Sequence, residues 1–227
     1  MRISDWILTT ITALLCGVSF LFMIWDCRKT GKEKTGGEIT AKAVLSKWLI
    51  GYSVLMCAAT IAISVVFALA YSDNSFCFSL KRMALLSILW PIAWIDFKTY
   101  RVPNAFVLLG LVYRAAILVL ELFLEYEGVW NRLMYEGIAA VALLLAAFLC
   151  TLLMKNSVGA GDMKLFVVMG LLLGMHGIWG AIFASLIVSF VVAIVLLVSK
   201  KKTRKDAIPF GPALVVGTFL SVFLTGM

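Results

Sequence analysis

The sequence predicts an all-α fold, a polytopic membrane bundle of about eight transmembrane helices. The chain of 227 residues is 63% hydrophobic and only 14% charged, and its mean hydropathy is +1.05. A soluble domain is roughly 45–50% apolar and about 25% charged. The apolar residues fall in runs of about twenty without strict alternation, which favours helices over the strands of a closed barrel.

Eight apolar segments are predicted along the chain, and the sixth is short. Its length of about 22 Å, at 1.5 Å per residue, is less than the roughly 30 Å hydrocarbon core of a bilayer. We therefore expect it to begin or end inside the bilayer, or to lie in a locally thinned membrane. The predicted segments are 5–25, 47–71, 81–96, 103–125, 132–154, 161–175, 178–199 and 208–226.

The basic residues predict the orientation of these segments. Most of them lie on four loops that alternate along the chain, and the positive-inside rule places such loops in the cytoplasm, with both termini outside. This topology accounts for the formal net charge of +8, so no nucleic-acid partner is predicted. The first of these loops, 26–46, is charged and glycine-containing, which predicts a flexible linker. The basic residues on the four loops are Arg28, Lys29, Lys32, Lys34, Lys42 and Lys47; Lys98 and Arg101; Lys155 and Lys164; and Lys200, Lys201, Lys202, Arg204 and Lys205.

The residue types that hold metals are sparse and scattered. The five cysteines form no C-x-x-C pair, which argues against a zinc ribbon. His176, the only histidine, is predicted in an outer turn, at the opposite membrane face from Asp96 and Asp162. We therefore predict no metal and no cofactor. The first apolar run also lacks a basic start and a small-residue cleavage site, so no cleavable signal peptide is expected.

The first functional motif is the segment 96–104, which reads Asp-Phe-Lys-Thr-Tyr-Arg-Val-Pro-Asn. Asp96 ends a long apolar run, and carboxylates in membrane segments are costly enough to mark functional sites. The alternative is an interfacial aspartate just beyond a helix end. Pro103 is predicted at a helix start, where its missing N–H costs nothing. Asn104, in that first turn, either bonds a neighbouring loop or is ordinary helix-end polarity.

The second motif is the segment 159–165, which reads Gly-Ala-Gly-Asp-Met-Lys-Leu. Its carboxylate, Asp162, is either functional or complements the dipole at the start of its helix. Gly159 and Gly161 permit a tight turn and the close approach of another backbone, such as an extended peptide strand. We expect Gly161 to tolerate substitution less well than Gly110, which is predicted in a helix interior.

The topology places the two carboxylates at the same membrane face. Asp96 ends the third segment on the cytoplasmic side, and Asp162 begins the sixth segment on that side, 66 residues later. A pair of carboxylates that share a proton is the chemistry of an aspartic protease. Lys164 is predicted to be a basic membrane anchor that can also bias these carboxylates electrostatically.

The third motif is the segment 208–212, which reads Ile-Pro-Phe-Gly-Pro and begins the last apolar segment. Pro209 and Gly211 lie in it. The motif is either a simple turn into the last helix or a rigid loop packed against the active site.

These three motifs together resemble those of the type IV prepilin peptidases, which belong to the G-x-G-D membrane aspartyl proteases with the preflagellin peptidases. The resemblance covers residues 81–227, whose six predicted helices match the family's catalytic core. It leaves residues 1–80, with two helices and the linker, outside that core. It implies that Asp96 and Asp162 are the catalytic pair. The candidates for substrate binding or structural support are Gly159, Gly161, Lys164, Pro103, Asn104, Pro209 and Gly211.

The resemblance implies an aspartic endopeptidase in the cell membrane, with its site facing the cytoplasm. One carboxylate would be ionised and the other protonated, because like charges near 3 Å apart cannot both ionise cheaply. The pair would activate a water molecule that attacks the scissile carbonyl. The implied substrates are pilin-like or pseudopilin precursors with a short basic leader, a glycine before the cut and a hydrophobic helix after it. Pilin, pseudopilin, flagellin-like and competence subunits all fit this description.

The chain departs from bifunctional members of that family. Those members carry a cytoplasmic domain with paired C-x-x-C motifs and methylate the new N-terminus. The linker 26–46 has no such pairs and is too short for the domain, so cleavage without methylation is expected. An alternative from a different functional class stays open: the chain could be a small proton-coupled transporter that uses two carboxylates. Transporter sites usually lie near the bilayer midplane, whereas both aspartates are predicted at one face.

Overall fold

The computed structural model describes residues 3–33, 48–71, 74–153, 159–200 and 208–224, and these ranges contain helices and no strand. The prediction of an all-helical membrane bundle is confirmed. Six of the helices are long and apolar enough to cross a membrane, and the last is a shorter apolar helix. The seven helices are α1 (Ile3–Glu33), α2 (Trp48–Ala70), α3 (Phe76–Thr99), α4 (Asn104–Leu124), α5 (Val129–Leu153), α6 (Ala160–Val198) and α7 (Gly211–Leu224).

Helix α3 is the centre of the bundle. It is buried along nearly its whole length, whereas the other membrane-length helices leave most of their residues on the outer surface. Helices α1, α2, α4 and α7 all pack directly against it. The Tyr52 hydroxyl of α2 donates a hydrogen bond of 3.0 Å to the Trp90 carbonyl, which anchors α2 beside Pro91 in the interior of α3. A helix enclosed on all sides is a rigid support for a catalytic group at its end.

Helix α6 contains the predicted sixth and seventh segments, which meet at a break. Gly174 has φ 66° and ψ −178°, outside the helical region, and a glycine adopts a positive φ without the steric cost of a side chain. Beyond the break, the Ser221 hydroxyl near the end of α7 donates to the Gly177 carbonyl. The Ser185 hydroxyl, eight residues further on, contacts the Leu214 carbonyl near the start of α7. The second half of α6 therefore runs antiparallel to α7, and the predicted sixth and seventh segments are two helical stretches joined at Gly174.

The first half of α6 packs closely against the backbones of α5 and α4. A Cβ added at Gly170 would lie 2.7 Å from the Ala140 Cα of α5. A Cβ added at Gly110 of α4 would lie only 2.5 Å from the Val168 Cγ1. The expectation that Gly110, in a helix interior, tolerates substitution by alanine is therefore wrong. The absence of a side chain at Gly110 lets α6 pack closely against α4.

Two further expectations differ from the structure. Helix α1 continues to Glu33, so it includes the first part of the predicted linker 26–46; residues 34–47 lie outside the described ranges. The sequence alone predicts Glu136 in the outer half of a helix, in a solvated or snorkelling role. It is instead 4% exposed and paired with basic side chains from two other helices. Tertiary packing places it inside the bundle, and a buried carboxylate requires such partners.

Candidate active site

Asp96 lies at the end of the central helix, three residues before α3 terminates. The helix ends before Tyr100, which has a left-handed conformation with φ 54°. The Tyr100 backbone N–H donates a hydrogen bond of 2.8 Å to the Asp96 carbonyl. The Asp96 side chain is 7% exposed. A rigid, buried helix end therefore holds this carboxylate in one place.

The third motif packs directly on Asp96. The Gly211 backbone N–H donates a hydrogen bond of 2.7 Å to Asp96 Oδ2. Gly211 is the first residue of α7, so the carboxylate also faces the positive end of a helix dipole. A ring contact between Phe210 and Phe166 of α6, with centroids 6.2 Å apart, holds the preceding turn against the first half of α6. Pro209 is half-buried in the same turn.

Asp162 lies in the first turn of α6 and faces Asp96. Its carboxylate accepts a hydrogen bond from the Gly159 backbone N–H, and the two carboxyl groups are close enough to interact electrostatically. Asp162 is half-buried, and Gly159 and Ala160 before it are exposed. The fold therefore brings together the two carboxylates that lie 66 residues apart in the sequence, and leaves backbone accessible on the Asp162 side.

The loop between α3 and α4 interlocks with the start of α6. A Cβ added at Gly161 would lie 2.9 Å from the Val102 Cβ and 3.3 Å from the Val102 carbonyl oxygen. Pro103 follows with φ −68° and ψ 129° and precedes the first residue of α4. The Lys164 Nζ donates a hydrogen bond of 3.0 Å to Asn104 Oδ1. The first two motifs thus contact each other through small residues, a proline turn and one polar bridge.

Sequence reasoning gave no role to Val102, although it lies inside the first motif. Its Cβ and its backbone occupy the space next to Gly161, so it helps to set the distance between the two carboxylate-bearing segments. The glycine at position 161 predicts that another residue packs closely against it, but the sequence does not identify that residue as Val102.

The remaining candidate for metal or triad chemistry lies elsewhere. His176 is exposed and comes two residues after the break in α6, twelve or more residues along that helix from Asp162. Within the described ranges, no three His, Cys, Asp or Glu side chains gather closely enough to hold a metal ion. The chemistry available at the paired site is that of two carboxyl groups, each with one donated N–H, which can exchange a proton with a water molecule between them.

Comparison with known proteins gives two matches. The family model described as the type IV leader peptidase family matches residues 83–198, about half of the chain. The prepilin leader peptidase/N-methyltransferase of Bacillus subtilis (strain 168) is 28% identical over 140 residues, which are 61% of this chain and 53% of that protein. The chain thus aligns with about half the length of this curated relative. No solved structure matches the chain significantly.

Proposed function

The chain belongs to the type IV leader peptidase family, and we propose that it is an aspartic endopeptidase that removes the leader of pilin-like or pseudopilin precursors. The observation that carries the proposal is the pairing of Asp96 with Asp162. Each carboxylate comes from a different motif, at the end or the start of a different helix, and the two interact. Paired carboxylates of this kind perform acid–base hydrolysis.

In the proposed mechanism, one carboxylate is ionised and the other protonated. The ionised partner takes a proton from a water molecule, and the water oxygen attacks the scissile carbonyl. The neutral partner donates its proton to the carbonyl oxygen. The roles return to their starting state when the tetrahedral intermediate collapses and the leaving amine takes a proton. The chain's own side chains supply every proton transfer in this cycle.

The substrate strand is proposed to approach on the Asp162 side. Gly159 and Ala160 are exposed there, and a Cβ added at Gly159 would lie 3.2 Å from Asp162 Oδ2. A side chain at that position would crowd the carboxylate and any peptide carbonyl presented to it. Glycine at this position therefore suits a site that must admit an extended backbone.

The proposed orientation places the carboxylate pair at the cytoplasmic face of the cell membrane. Lys98 and Arg101 follow Asp96 closely, and Lys164 follows Asp162. Basic residues next to membrane segments favour the cytoplasmic side. This orientation suits a precursor whose short basic leader stays in the cytoplasm. The lipid bilayer is the second partner that the apolar surface implies.

Residues 81–227 are proposed as the peptidase core and residues 1–80 as an addition that supports it. The family match begins at residue 83, and α1 and α2 pack against the central helix α3. We propose cleavage without methylation of the product. The Bacillus subtilis relative is named for both activities, but residues 34–47 between α1 and α2 contain no cysteine that could build the paired motifs of a methylating domain.

The transporter alternative fits the site less well. Transporter carboxylates usually lie near the bilayer midplane, on broken helices. Asp96 is three residues from the end of α3, and Asp162 is the third residue of α6. Both are at helix ends, where a peptide in water or at the membrane surface can reach them.

The test is cleavage of a pilin-like precursor co-expressed with this chain in a host that lacks such a peptidase. The expected result is a gel shift to the mature form, with an N-terminus that begins after the leader glycine. Asp96→Asn should abolish the shift, because asparagine keeps the shape but cannot return a proton. Glu127→Gln, at an exposed carboxylate, is the matched control and should cleave normally. If no precursor is cleaved by the unaltered chain, the proposed function is wrong.

A further inference from the structure

A second group of ionisable side chains is buried in the bundle, away from the proposed active site. We call Lys81, Arg114, Glu121 and Glu136 the charge ring. The Lys81 Nζ lies 2.8 Å from Glu121 Oε1 and also contacts Glu136. Arg114 lies 3.0 Å from Glu121 Oε2 and donates from Nε to Glu136 at 2.9 Å. Each acid thus contacts both bases.

The charge ring is neutral in sum and shielded from its surroundings. Its four residues are at most 6% exposed, and the two positive charges match the two negative ones. Replacing a buried ion group by apolar residues is often neutral or stabilising, so such a group is weak evidence for stability. Buried charges inside membrane segments mark function by default. The ring therefore needs an explanation other than holding the bundle together.

The position of the charge ring supplies that explanation. Lys81 belongs to α3, Arg114 and Glu121 belong to α4, and Glu136 belongs to α5. The first half of α6 lies beside the ring. A Cβ added at Gly174 would lie 3.6 Å from the Glu136 Cγ, and Gly170 packs closely on Ala140, one turn after Glu136 on α5. Three helices therefore meet at one polar cluster, and a fourth packs beside it.

The ring lies near the end of α3 opposite to Asp96, and beside the end of the first half of α6 opposite to Asp162. Asp96 is fifteen residues beyond Lys81 on α3, a distance of about 22 Å along a helix. Asp162 is twelve residues before Gly174 in the first half of α6, a distance of about 18 Å. A shift of either helix along its axis at the ring would be carried to its carboxylate, because both segments are continuously helical between these points, α3 with Pro91 in its interior.

We propose that the charge ring is a positioning device, which fixes the axial alignment of α3 with the first half of α6 and so sets Asp96 against Asp162. This inference rests on the proposed peptidase function. Directional ion pairs specify one register, whereas apolar side chains tolerate several. Catalytic groups must be held within about 0.5 Å of the productive geometry, so a register fixed at one end determines the chemistry at the other.

The test replaces the ring by apolar residues of similar size, Lys81→Met, Arg114→Met, Glu121→Leu and Glu136→Leu together. We expect this variant to insert and fold, with kcat lowered roughly tenfold to a hundredfold by misalignment and KM within about twofold, because none of the four residues reaches the substrate side. A purely structural ring would leave kcat per folded molecule unchanged. That result would overturn the proposal.

The matched control is Glu125→Gln. Glu125 forms a 3.1 Å ion pair with Arg132 near the same end of the bundle and accepts a hydrogen bond from the Cys77 backbone N–H of α3. It is not part of the ring, and the amide oxygen of glutamine can still accept from Cys77, so kcat should be unchanged. If the fourfold variant fails to fold, Glu136→Gln is measured in its place, because it keeps the shape of the side chain and removes one charge. Full kcat in that variant would equally overturn the proposal.

A cross-linking measurement separates this inference from the proposed function. Val102→Cys and Gly161→Cys, introduced together into a chain without its native cysteines, place two thiols next to each other beside the catalytic pair, since a Cβ added at Gly161 would lie 2.9 Å from the Val102 Cβ. Disulfide formation should be at least severalfold slower with the apolar ring than with the native ring. Equal rates overturn the positioning role even if cleavage is impaired. A slower rate supports it even if no precursor is cleaved, in which case only the proposed function fails.

Discussion

Substituting Gly211 by alanine should disable the enzyme while leaving most of the fold in place. The added Cβ would lie 2.8 Å from Asp96 Oδ2, 3.0 Å from Asp96 Cβ and 3.2 Å from the Ala93 Cα. The first distance is about 0.6 Å shorter than the 3.4 Å at which ordinary contact begins. The Ala93 Cα belongs to the buried backbone of α3 and cannot retreat, so the Asp96 side chain or the start of α7 must move.

The expected magnitude follows from these contacts. Overpacking of this kind costs about 1–3 kcal/mol of stability, and the hydrogen bond from Gly211 to Asp96 is lengthened or lost at a further cost of about 1.5–3 kcal/mol. A displacement near 1 Å at a catalytic group can lower the rate roughly a hundredfold. We therefore predict a loss of about tenfold to a hundredfold in kcat, with KM little changed.

The assay is the initial rate of precursor cleavage in membranes, normalised to the amount of folded protein. Two alanine variants serve as controls. Gly137→Ala, on α5, adds a Cβ with no atom within 4 Å and should keep full activity. Gly217→Ala, on α7, adds a Cβ 2.3 Å from the Ser185 backbone nitrogen, so it should lower stability with a smaller effect on kcat per folded molecule. Wild-type kcat in Gly211→Ala would refute the reasoning.

Three further predictions concern the site and its product. Gly161→Ala should lower the cleavage rate more than Gly137→Ala, because its Cβ would meet Val102 at 2.9 Å; equal initial rates would mean that this turn does not shape the site. Lys164→Met should slow cleavage by roughly twofold to tenfold by removing an exposed bridge to Asn104 worth about 1 kcal/mol, and an unchanged rate would show the bridge to be dispensable. The mature product made in a host without a methylase should have the mass of an unmodified N-terminus, and mass spectrometry that finds one added methyl group would contradict cleavage without methylation.

The helical bundle could be predicted because composition and apolar run length depend on local sequence alone. The pairing of Asp96 with Asp162 was predictable for a related reason. Counting membrane segments gives the side on which each helix begins and ends, and both carboxylates lie at helix ends. The contact of Gly211 with Asp96 was one of two alternatives for the third motif, and only the folded structure distinguishes them.

The rest of the interior could not be predicted, because it depends on which helices become neighbours. The sequence predicts a solvated or snorkelling Glu136, because no residue near it in the chain indicates that Lys81 and Arg114, on other helices, become its partners. The one sequence feature that indicates such pairing is that the apolar segments contain acidic and basic residues in equal numbers. Gly110 was misjudged for the same reason, because Val168 is its neighbour only after folding.

The most direct test of the proposed active site is whether its two carboxylates act as one unit. Asp96→Asn, Asp162→Asn and the double variant are compared with the unaltered chain by initial cleavage rate at matched membrane levels. Groups that act together are strongly non-additive, so each single variant should fall to the same residual rate as the double variant. Near-normal turnover in either single variant, or a double variant slower than both by the product of the single losses, would contradict a shared catalytic pair.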